Sequence, residues 1–222
     1  MGHSESISIG LLLFPSLTQL DLTGPYEVFV RAPGTTVHLI WKDLQPVMSD
    51  RGMAILPTTT LDTCPPLDII CIPGGPGQVG LMDDEDVLAF IRIQNQQARL
   101  ITSVCTGSLL LGATPVSQRI VRDRNRITGA GVTSGIDFAL YVVAELLGEA
   151  IARKVIAALP EHSGKYHPLR ARLSLRHCHR TARGLTRRGS RRLRRVYAWP
   201  PDCTINTRLL FQQSHDLLIK IV

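Results

Sequence analysis

Cys105 sits in "ITSVCTGSLLLG" (residues 101–112), between a β-like apolar run and a short run with helical character. A cysteine at a helix start meets unpaired backbone N–H groups and the positive end of the helix dipole, and both favour thiolate over thiol. A strand-to-helix turn also exposes the side chain, as in nucleophile elbows. Gly107 and Ser108 leave room beside the sulfur. The expectation is a nucleophile more acidic than a free cysteine, and the alternative is a small buried core residue. A second candidate is Asp21, in "LTQLDLTGPYEV" between two leucines. It is either the N-cap of a helix starting near Pro25, a place for which Thr23 competes, or a desolvated carboxyl that holds its proton and serves as a general acid. "PGGPG" (73–77) is either a bare turn or, through its N–H groups at Gly74 and Gly75, part of an oxyanion-type pocket. No GK[ST] follows it, so it is no phosphate loop. "RHCHR" (176–180) offers His177 and His179 without a partner pair, and no metal site is expected there.

These groups need a scaffold that brings them together. "SISIGLLLF" reads as a buried strand stopped by Pro15, "VHLIWK" as a second, "LDIICIPGG" as a compact strand running into glycines, and "LITSV" as the strand before Cys105. "PYEVF" belongs to a short helix, "DDEDVLAFIRIQNQQAR" to a helix with an acidic first turn, and "SGIDFALYVVAELLG" to an amphipathic helix. In the last, Ile136, Ala139, Leu140, Val143, Ala144 and Leu147 are expected to form the core face. "VMSDRGMAILPTTTL" and "RIVRDRNRIT" each read as short strands around a turn. Alternating strands and helices imply an α/β sandwich built on a mostly parallel sheet, in which ligands bind beyond the carboxyl ends of the strands. Asp21, Gly74-Gly75 and Cys105 then project toward one rim.

The chain has 222 residues, 44% hydrophobic and 19% charged, which is enough for a proper core. Its net charge of +7 is uneven: residues 1–161 carry −5 and residues 162–222 carry +12. The expected organisation is an α/β domain over 1–161 and a basic, poorly ordered tail over 162–222. The tail is read either as a nucleic-acid-binding segment or as a C-terminus read out of frame, the second being preferred because its basic run has no accompanying motif. Five cysteines without a CxxC pair argue against a disulfide framework and for a reducing, cytoplasmic setting. No apolar run approaches a membrane span, and the N-terminus lacks the basic region of a secretory leader.

"LLLFPSLTQLDLTGPYEV", "PPLDIICIPGGPGQVGLMDD", "ITSVCTGSLLLGA" and "ITGAGVTSGIDFALYVVAELLG" together resemble the ThiJ/PfpI superfamily and, within it, the isonitrile hydratases of bacteria and fungi. The resemblance spans about residues 7–159 with one gap. It implies a flavodoxin-like fold, usually a homodimer, with no metal and no organic cofactor. It implies hydration of an isonitrile to an N-substituted formamide, with Cys105 as nucleophile, Asp21 as general acid/base, Thr106 shaping the thiol's setting and Gly75 as a backbone donor opposite. Two departures stand out. The family has a further strand and helix after the cysteine helix, whereas here Gly112-Ala113-Thr114-Pro115 runs almost directly into Arg119-Ile120-Val121, leaving the sheet incomplete relative to the family. Arg124 also occupies a hairpin place where the family commonly has glycine. The competing functions are the ligand-binding domain of an AraC-type transcription regulator, an inactive truncated homologue, and another activity of the superfamily such as protein repair.

Overall fold

In the computed structural model, residues 6–113 and 118–159 are described. The expected boundary at 161/162, the basic tail and the His177/His179 pair lie outside them. β1 (Ile7–Leu12) is buried almost throughout, as an apolar run covered on two faces must be. Pro15 ends it, and the chain enters α1 (Gln19–Arg31). β2 (Thr35–Trp41) follows, then the small hairpin of β3 (Val47–Met48) and β4 (Ala54–Ile55) and the two-residue β5 (Thr59–Thr60). β6 (Ile69–Ile72) delivers the glycine run, after which come the single turn α2 (Gln78–Leu81) and α3 (Glu85–Gln97). Asp84 caps α3 by accepting from the Val87 N–H, with Glu85 and Asp86 in the first turn. β7 (Leu100–Val104) leads to α4 (Gly107–Leu110), β8 (Ile120–Asp123), β9 (Arg126–Gly129), α5 (Gly135–Leu147) and α6 (Glu149–Ala158).

The main sheet runs β5-β2-β1-β6-β7-β9-β8, with every pairing parallel except β8–β9. This is the mostly parallel, flavodoxin-like α/β arrangement expected. β1, β6 and β7 are parallel neighbours, so their carboxyl ends reach one rim. The short connection after α4 does not leave the cysteine strand as an edge. β9 pairs with β7 from Ile101↔Arg126 to Val104↔Gly129, and the edge falls on β8. Arg124 adopts φ +54° in the β8–β9 turn, the left-handed backbone that glycine adopts without strain.

Two expectations about helices are corrected. α1 starts at Gln19, six residues before Pro25, with Thr18 at its N-cap position. Pro25 sits inside the helix, where it withholds the N–H that the Asp21 carbonyl, four residues back, would have accepted. In α5, Phe138, Tyr141 and Val142 join Ala139, Leu140 and Val143 in the core, while Ile136 is exposed and Ala144 and Leu147 are partly so. The period-based face was too narrow because α5 packs against both α1 and α6 and is covered on more than one side.

Candidate active site

The site forms where the ends of β1, β6, β7 and β9 meet. β7 hands the chain to Cys105, whose backbone turns left-handed at φ +56° before α4 begins. A non-glycine residue in that region carries about 1–2 kcal/mol of strain. The Cys105 N–H donates to the Gly129 carbonyl at 3.0 Å, which ties the elbow to the end of β9. The Cys105 carbonyl accepts the Ser108 hydroxyl at 2.8 Å. The turn is thus held from both sides.

Asp21 lies in the first turn of α1 and is fully buried. It is no cap, because the helix has already begun. Its Oδ1 accepts the Val132 N–H at 2.8 Å. Its Oδ2 has no ordinary hydrogen-bond donor among the described residues, while the Cys105 thiol and the Gly74 N–H favour the ionised form of the carboxyl. Gly74 explains how close the carboxyl and the thiol come. A Cβ on Gly74 would lie 2.7 Å from Cys105 Cβ, 2.8 Å from Asp21 Oδ2 and 2.8 Å from the Thr106 nitrogen. The glycine is the spacer whose missing side chain lets the carboxyl face the thiol. A Cβ on Gly131 would also crowd the sulfur, at 2.9 Å from Cys105 Sγ.

The Gly75 N–H is directed to Thr106 Oγ1 at 3.0 Å, and the Gly74 carbonyl accepts the Thr18 N–H at 2.9 Å. In this state the Gly75 donor therefore orients the Thr106 hydroxyl. Asp50, at the β3–β4 turn, accepts from Thr18 Oγ1 at 3.3 Å. The Asp50 N–H bonds the Leu17 carbonyl at 2.9 Å, which fixes the entry to α1.

Burial pushes the Asp21 carboxyl up, opposed by the Val132 N–H, the Cys105 thiol and the Gly74 N–H, with the Asp50 charge adding to the rise. The proton is held more tightly than in a free aspartate, as the flanking leucines suggested. The expectation of an acidic thiol is corrected. Burial, followed by the negative charge of Asp21, pushes Cys105 up to about 11 against the pull of the Thr106 N–H. The helix behind it is a single turn, too short to sum a useful dipole. Beside the Asp21 carboxyl, the thiol thus holds its proton more tightly than a free cysteine does. Cys71, fully buried in β6, rises to about 12, chiefly through desolvation, and Cys64 to about 11 for the same reason. Among the described residues no group of three His, Cys, Asp or Glu side chains is arranged to hold a metal ion, and no helix is long and apolar enough to cross a membrane.

Gly131 and Val132 are the site residues that sequence reasoning missed. The available signal was Gly129-Ala130-Gly131, small residues just past the end of a strand that pairs with the cysteine strand.

Residues 7–119 match the DJ-1/PfpI family. The chain is 49% identical over 174 residues to an isonitrile hydratase of Pseudomonas putida, covering 68% of this chain and 76% of that protein. It is 28% identical over 186 residues to the HTH-type transcriptional regulator GbdR of Pseudomonas aeruginosa, covering 69% of this chain and 49% of the regulator. Among solved structures, a THiJ/PfpI family protein from Pseudomonas syringae superposes with a TM-score of 0.66 at 35% identity, covering 80% of this chain and 86% of that one.

Proposed function

The chain belongs to the DJ-1/PfpI family, and from that premise we propose that it adds water to an isonitrile, R–N≡C, giving the formamide R–NH–CHO. The observation that carries the reading is the buried Asp21 carboxyl facing the Cys105 thiol across the space Gly74 leaves open. The choice of substrate is supported by the relative at 49% identity.

The terminal isonitrile carbon is electrophilic toward a soft nucleophile and basic once attacked. The Cys105 thiol gives its proton to the Asp21 carboxylate as the sulfur bonds to that carbon. Asp21 then returns the proton to the same carbon, giving the thioimidate R–N=CH–S–Cys. A carboxyl whose proton is held by burial suits this transfer, because its acidity lies closer to working pH. Water next adds to the carbon of the thioimidate. Asp21 takes one of the water's protons and delivers it to nitrogen, giving R–NH–CH(OH)–S–Cys. Collapse of this adduct expels the sulfur, which recovers the hydroxyl proton by way of Asp21, and the formamide leaves. Substrate, water and two side chains account for every proton and electron pair, so the cycle calls for neither metal nor organic cofactor. Thr106, held by the Gly75 N–H, borders the sulfur and fixes the geometry of the glycine run. We place the reaction in the cytoplasm, in a homodimer.

A second reading, a ligand-binding regulator, is favoured by the match to GbdR. Incubating purified protein with an alkyl isonitrile and following formamide by mass spectrometry separates the two. Turnover that Cys105→Ala abolishes supports the hydratase. Saturable binding of the isonitrile without turnover supports the regulator.

A further inference from the structure

The Val132 N–H holds Asp21 from a backbone that resists being there. Val132 is β-branched and adopts φ +39°, a region such residues avoid. Its neighbour Gly131 lies against the thiol. The turn that carries both residues, 130–134, therefore needs an external restraint, and one side chain supplies it from outside the site. Arg119 Nε donates to Asp137 Oδ2 at 2.8 Å, in the first turn of α5, and its NH2 nitrogen donates to the Thr133 carbonyl at 3.0 Å. The Arg119 carbonyl accepts the Ala130 N–H at 2.8 Å, extending the β8–β9 ladder into the turn. The Ser134 hydroxyl closes the turn from within, onto the Ala130 carbonyl. One residue thus grips the turn at its start, its middle and the helix that follows.

We propose that Arg119 is a positioning residue for the reaction: it clamps the 130–134 turn so that the Val132 N–H stays on Asp21 and Gly131 stays beside Cys105. An isolated exposed ion pair does little. Here the planar guanidinium spans a carboxylate and a carbonyl at once, which a lysine cannot reproduce from a single nitrogen. The inference rests on the reading of Asp21 as the acid/base. Its first test, however, needs no turnover.

Asp21 is followed by carboxyl carbon NMR in protein labelled at the aspartate side chains, its signal assigned by its loss in Asp21→Asn. The groups bearing on that titration are the Cys105 thiol, Cys71 in β6 and Asp50 in the β3–β4 turn, all left in place by the variants. Arg119→Gln is expected to move the Asp21 midpoint upward by about half a pH unit or more, because an N–H that favours the ionised form is loosened. With an alkyl isonitrile, kcat is expected to fall about ten- to a hundredfold with KM little changed, as for a misplaced catalytic group. Arg119→Lys should recover part of each effect. An unchanged midpoint together with unchanged kcat in folded Arg119→Gln overturns the clamp. If that variant does not fold, Asp137→Asn removes one leg alone and is judged by the same two readings. A shifted midpoint in a chain that hydrates no isonitrile would sink the hydratase reading and leave the clamp standing.

Discussion

Gly131→Ala separates the site from the fold. Gly131 has φ −65° and ψ 163°, extended backbone that alanine adopts without strain. Replacing a glycine at such a position stabilises a protein by roughly 0.4–1 kcal/mol through the unfolded chain, so the melting temperature should hold or rise slightly. The added methyl, however, would stand 2.9 Å from Cys105 Sγ and 3.3 Å from its Cβ. Non-bonded carbon contacts settle near about 3.5–4.0 Å, so roughly 0.6–1 Å must be found. Sγ is the end of a one-bond side chain and yields first. The sulfur is displaced from its place beside Asp21 while the sheet stays put. A displacement of about 1 Å costs on the order of a hundredfold in rate. The assays are a thermal melt, formamide production from an alkyl isonitrile, and iodoacetamide labelling of Cys105 read by peptide mass spectrometry. The expected pattern is an intact melt, a large loss of turnover and altered labelling. An intact melt with turnover within about threefold of the parent would refute the placement of Gly131 against the sulfur.

Asp21→Asn should move two observables in opposite directions. Hydration falls on the order of 10²–10⁴-fold because the proton carrier is lost, while iodoacetamide labelling of Cys105 at pH 8 accelerates, since the charge that helps to hold the thiol up to about 11 is gone; slower labelling would contradict the electrostatic account. The folded-state pKa of Asp21 is raised, so its contribution to stability is fully present below the unfolded value near 3.8 and is lost as pH rises through the folded one. Asp21→Asn should therefore melt higher than the parent at pH 7, with the gain vanishing toward pH 3.5; a constant offset across pH would point to packing instead. Cys71, fully buried with its thiol near 12, should stay unlabelled until the chain unfolds, and labelling of Cys71 in the native state would contradict its burial. Inserting a family-like strand–helix segment after Ala113 is expected to raise both melting temperature and turnover; no gain in either would mean that the β9–β7 pairing already completes the sheet.

The strands that converge on the site were legible because each is a compact apolar run punctuated by Pro or Gly: Pro15 after β1, Pro73-Gly74-Gly75 after β6, and the small residues after β7. The acidic start of α3 was legible for a local reason, since Asp84 caps it and carboxylates favour that end. Asp21 was readable as either a cap or a desolvated carboxyl, and its residues alone left the two open because Pro25 looks like a helix start and is in fact an interior residue. The acidity of Cys105 was misjudged from sequence because the length of α4 and the proximity of Asp21 are tertiary facts. Burial of the thiol, then the neighbouring Asp21 charge, reverse the sign that the helix-start argument gives, and a one-turn helix is too short to oppose them. Gly131 and Val132 were missed because they act through a missing side chain and a backbone N–H, of which the run of small residues at the end of β9 was the one trace.

The account stands or falls on whether Cys105 bonds to the isonitrile carbon during turnover. A single-turnover experiment with excess protein, quenched in acid at successive times and read by peptide mass spectrometry, measures this directly. The account predicts that the peptide containing Cys105 gains the whole mass of the isonitrile, and that this species rises and then decays as the formamide appears. Formamide formed with no adduct at any time, or formed equally well by Cys105→Ala, would contradict it.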